Sequence, residues 1–68
     1  MIMNEQIGIT AGRVWNYLAE NGPTTIIKLK SSLEVSNGHL HLALGWLSRE
    51  DKIELIEYGN TYKVAHKN

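Results

Sequence analysis

The chain contains no cysteine, which excludes disulfide staples and thiolate metal sites and is compatible with a reducing cytoplasm. It also lacks an excess of either charge: seven basic and seven acidic residues cancel over 68 residues. Domains that bind nucleic acid more often carry a basic surplus or stripe. Neutrality lowers that expectation without excluding it, because the distribution of charge matters more than its sum. No apolar run approaches the ~20 residues needed to cross a bilayer. Met1 to Thr10 has no positive region followed by an apolar run, so no secretory leader is read there. A soluble, cytoplasmic chain with no membrane partner is expected. The most local absence is of another kind: from Ser31 to Ser48 there is not one Lys or Arg.

What is present is a globular composition, 43% hydrophobic, enough for one small core. A chain of this length buries only about 60% of its unfolded surface. A homodimer or protein partner is therefore an expected source of part of its stability. Residues 1–8 show no lasting period and read as a loose arm or short strand, leaving 9–68 as the folded domain.

Three helical segments follow. Thr10 suits an N-cap, and Ala11, Val14, Trp15 and Leu18 recur at the spacing of one buried helical face. Asn21-Gly22-Pro23 ends that helix, with glycine for a left-handed position and proline unable to continue it. Thr24 and Thr25 form a short extended link, and Thr25 caps a second helix from Ile26 to about Leu33. Its inner face is Ile26, Leu29 and Leu33, with Lys28, Lys30 and Ser31 pointing outward. A tight Glu34-Val35 turn leads to Ser36, the N-cap of a third helix from Asn37 to about Glu50. Val35 is placed to staple that turn to the core. Leu40, Ala43, Leu44 and Leu47 form the third helix's inner face, with Leu42 and Arg49 roughly opposite and Trp46 at the margin.

The C-terminal part alternates. Ile53, Leu55, Tyr62 and Val64 share one face of a hairpin closed by Gly59-Asn60. The other face pairs Glu54 with Ala65, Ile56 with Lys63 and Tyr58 with Thr61.

Three helices, a tight turn between the second and third, and a terminal hairpin resemble the winged helix-turn-helix plan, an α+β fold. Two segments carry the likeness: Gly22-Pro23-Thr24-Thr25-Ile26-Ile27-Lys28-Leu29, and Leu47-Ser48-Arg49-Glu50-Asp51-Lys52-Ile53. More narrowly, Ala11-Gly12-Arg13-Val14-Trp15 and the run from Ala43 to Ile53 are similar to a family of small, free-standing bacterial winged helix-turn-helix domains of unknown function. The broad superfamily implies DNA binding through the third helix, whereas the narrow family implies no settled activity.

The chemistry of that third helix conflicts with its place in the plan. Bases are read by Arg, Lys, Asn, Gln or acidic side chains, and phosphates are held by cations, hydroxyls and helix-start amides. The exposed start offers only Ser36, Asn37, His39 and His41, and capping alone accounts for Ser36 and Asn37. Lys28, Lys30, Arg49 and Lys63 are the candidate phosphate contacts, unless they are merely scattered solvated charges. The wing tip, Tyr58-Gly59-Asn60-Thr61, carries no charge.

Gly38 and Gly45 lie seven apart beside Leu42. Glycine within a helix costs about 1 kcal/mol relative to alanine, so a close approach of a second backbone is one explanation, and relief of crowding beside Trp46 is another. Leu42, Gly45 and Trp46 are the candidate interface, since tryptophan is enriched at contact hot spots. His39 and His41 point about 200° apart on a helix and cannot share a metal. No metal, cofactor, small-molecule substrate or catalytic constellation is read.

Two functions follow: a weak DNA-binding transcriptional regulator, acting as a homodimer, or a non-catalytic interaction module on the same fold. Convergence of the basic residues around the third helix favours DNA. An exposed Leu42 and Trp46 patch on a neutral surface favours the contact module.

Overall fold

Helix formation begins earlier than the periodic pattern suggests. A computed structural model describes residues 4–67, with the order α1 (Asn4–Asn21), β1 (Thr24–Thr25), α2 (Ile26–Leu33), α3 (Asn37–Arg49), β2 (Ile53–Tyr58) and β3 (Thr61–His66). The expected arm or strand over residues 1–8 is corrected: Asn4 to Gly8 are helical, and the first three residues lie outside the described region. Thr10 is not a cap but a buried residue inside α1. The stripe Ala11, Val14, Leu18 continues backward through Ile7 at helical spacing. Packing against α3 outweighs the poor helix propensity of Gly8.

The other boundaries follow their local chemistry. Gly22 takes φ +76, and its amide donates to the Leu18 carbonyl, closing α1. The Thr25 hydroxyl accepts from the Lys28 amide at 3.2 Å, and the Ser36 hydroxyl from the His39 amide at 3.2 Å, so both expected caps form. Glu34 closes α2 in the left-handed region, φ 54. Arg13 reaches across from α1, its Nη2 donating to the Leu33 carbonyl at 2.7 Å. That contact satisfies one of the orphan carbonyls at the C-terminus of α2 and ties the first two helices together.

The core sits where the three helices meet the sheet. Val14, Leu18, Leu29, Leu40 and Val64 are its largest fully buried side chains, and Val35 packs against it. Trp15 lies at the margin of this core rather than inside it. Its ring stacks on His66, centroids 4.3 Å apart and tilted by 36°, with the Lys52 ammonium 5.6 Å from the ring centroid.

The sheet has three antiparallel strands in the order β1-β3-β2. Ile53 pairs with His66, Leu55 with Val64 and Tyr58 with Thr61, the register that the alternating pattern predicts. Gly59 opens the turn at φ +62, a left-handed first position that suits a primed two-residue hairpin. The two-residue link before α2 becomes a third strand, Thr24 opposite Val64 and Thr25 opposite Lys63. Val64 on the central strand is buried, as is Ile53 at the start of β2, whereas Leu55, on the same face farther along that edge strand, remains about half exposed.

Candidate interaction surfaces

Amphipathicity buries Leu40, Ala43, Leu44 and Leu47 of α3 and leaves the opposite side outward. Leu42 is 48% exposed and Trp46 43%. Both line an open groove of about 680 Å³, whose far wall is Asn4 and Ile7 of α1 and whose ends carry His41, Arg49 and Glu50. Ile7 was not among the candidates read from sequence. Its signal was the spacing Ile7-Ala11-Val14-Leu18, hidden by the glycine beside it.

Apart from its chain neighbours and its own helix backbone, a Cβ placed on Gly45, or on Gly38, would meet no atom within 4 Å, so no other element of the chain packs against either glycine. The Trp46 indole itself rests against Gly8 of α1.

The candidate DNA contacts are dispersed rather than gathered. Lys28 and Lys63 share one concavity at the Asn21 end of α1. Arg49 lies in the groove at the Asn4 end. An α-helix of 18 residues is ~27 Å long, so these cations do not form one face around α3. Lys30 is exposed on the last turn of α2 and lines neither surface.

At the start of α3, the Ser36 oxygen is already occupied by the His39 amide. His41 Nδ1 donates to the Asn37 carbonyl at 2.8 Å. His39 faces a separate concavity with Glu34 and Val35. The three remaining basic residues make contacts within the fold: Arg13 of α1 with the Leu33 carbonyl of α2, Lys52 beside Trp15, and Lys67 paired with Asp51 at 2.6 Å. The Asp51 carboxylate, as hydrogen-bond acceptor and then as opposite charge, holds the Lys67 ammonium above its ordinary pKa.

Among the described residues, no group of three His, Cys, Asp or Glu is placed to hold a metal ion. No helix among them is long and apolar enough to cross a membrane.

Three helices, a two-residue strand and a C-terminal hairpin, with α3 in the recognition position, define a winged helix-turn-helix protein. Residues 2–66 match the family described as Winged helix-turn-helix domain (DUF2582), and the chain belongs to that family. No curated protein matches the chain. It is similar to the solution NMR structure of protein BT2368 from Bacteroides thetaiotaomicron, at 28% identity and a TM-score of 0.84, over 96% of this chain and 79% of that one. The family is one of unknown function.

Proposed function

We propose that this chain is a non-catalytic winged-helix contact module, whose α3 outer face and α1 start receive a second copy of the same chain. The observation that carries this reading is the exposed pair Leu42 and Trp46, lying either side of a glycine whose missing Cβ leaves open space. A two-fold contact needs a surface complementary to itself. This groove offers apolar side chains that pack against their own copies, a glycine that admits close backbone approach, and Arg49 beside Glu50 as opposite charges at one end. Tryptophan anchors in such patches carry a large share of contact energy. Sedimentation equilibrium tests it: the wild type should run above monomer mass, and Gly45→Leu should run as a folded monomer. A monomeric wild type, or an unchanged mass in the folded variant, would overturn the reading.

A second reading, weak duplex DNA binding, draws on the fold alone. Its surface would be Ser36, Asn37, His39 and His41 at the start of α3, with Lys28, Lys30, Arg49 and Lys63 on phosphates. Few phosphate contacts mean weak affinity and a shallow dependence on salt. Lys28→Glu together with Lys30→Glu should abolish it, and unchanged binding would remove that surface from consideration.

A further inference from the structure

Three concavities among the described residues differ in charge. The first brings Glu34 beside His39, and the second holds Arg49 with Glu50. The third, about 400 Å³, holds Lys28 and Lys63 and has no acidic residue in its wall. It lies between the end of α1, the start of α2 and the outer face of the sheet. Fold topology assembles it from distant parts of the sequence. Thr25 pairs with Lys63 and Lys63 with Ile56, so these three side chains form one row across all three strands. Tyr58 shares their face, two residues beyond Ile56 on the same strand.

The aromatic component is distinctive. Tyr58 is 54% exposed, and the Lys63 ammonium lies 4.4 Å from its ring centroid. That cation lies over one face of the ring, and the rest of the exposed aromatic surface stands at the rim of the concavity next to a positive charge. Lys28 is exposed at the first turn of α2, and among the described residues the one ion pair is between Lys67 and Asp51. The Thr25 hydroxyl already caps the Lys28 amide, which leaves the two ammonium groups as the charged donors facing the concavity.

We infer that this concavity binds single-stranded nucleic acid, with Lys28 and Lys63 on successive phosphates and Tyr58 beneath an unstacked base. Cations that track a backbone together with an aromatic face for a base are the two elements of single-strand recognition. A duplex hides its base faces in the stack and would leave Tyr58 unused. The surface lies at the other end of α1 from the α3 groove, so this inference goes beyond the contact module and does not depend on it.

Fluorescence anisotropy with a labelled oligothymidylate of about twelve nucleotides, in the range small single-strand sites occupy, tests it against a duplex of equal length. The single strand should bind more tightly than the duplex. Its log affinity should fall against log salt with a slope of about −1.4, the value for two neutralised phosphates on a single strand. Lys28→Glu with Lys63→Glu should weaken binding about tenfold or more. Tyr58→Ala should weaken it about fivefold or more. Lys28→Gln, an exposed change that leaves the fold intact, should give a smaller loss with the same sign. The inference is overturned by undetectable wild-type binding or by unchanged binding in the double charge reversal. Equal affinity for the duplex with Tyr58→Ala silent would also overturn it, since that surface would grip phosphates alone.

Discussion

The indole of Trp46 rests against the backbone of Gly8, so close that a Cβ on Gly8 would touch Cζ2 of the ring at 3.9 Å. This contact joins the margin of α3 to the first turns of α1 and fixes one wall of the outer groove. It also explains why the chain is helical from Asn4 onward: the helix start is held by tertiary packing, with a glycine in its second turn that does not favour helix by itself.

At 3.9 Å the added methyl group of Gly8→Ala makes ordinary van der Waals contact and displaces nothing. Removing a glycine from a helix interior should stabilise the fold by about 0.5–1 kcal/mol. Urea denaturation followed by tryptophan fluorescence measures this. A loss of stability would mean that the indole sits tighter on α1 than 3.9 Å allows.

Arg13 is the tie between α1 and α2. Its 2.7 Å bond to the Leu33 carbonyl is charge-assisted and partly buried, and Arg13→Ala should cost about 1.5 kcal/mol. Arg13→Lys keeps the charge but not the planar fork, so it should recover less than half of that loss. Equal stabilities for all three chains in chemical denaturation would show that water replaces this cap without penalty.

The Lys67–Asp51 pair sets a pH dependence whose sign follows from the raised lysine pKa. A lysine held above its ordinary value in the fold contributes stability that is fully present below 10.5 and is lost as pH rises through the raised folded value. Asp51→Asn removes the partner charge, and asparagine tolerates the left-handed φ of 59 at this position. The difference in melting temperature between wild type and variant should therefore be level through neutral pH and shrink above 10.5. A difference that grows with alkalinity would contradict the pairing.

Much of the fold was legible in particular residues. Gly22 and Pro23 announced the end of α1, Thr25 and Ser36 the caps of α2 and α3, and the alternation from Ile53 to Val64 the register of the hairpin. These signals are local: each depends on a residue's own backbone preference or on a fixed period of 2 or 3.6. The start of α1 was not legible, because Gly8 interrupts the pattern and only contact with Trp46 reveals why it is helical. Nor was β1, since two threonines do not look like a strand until Val64 and Lys63 lie opposite them.

The surfaces divide in the same way. Sequence alone determined that α3 presents Gly38, Leu42 and Gly45 outward with no basic residue before Arg49, because helical period fixes which side chains share a face. Tertiary structure alone decided where the remaining cations go. It placed Arg49 and Lys28 at opposite ends of α1, and β-pairing brought Lys63 beside Thr25 from 38 positions away in the chain. Periodicity encodes which way a side chain points. Which distant side chains become neighbours depends on how the helices and strands pack, and no local pattern in this chain carries that information.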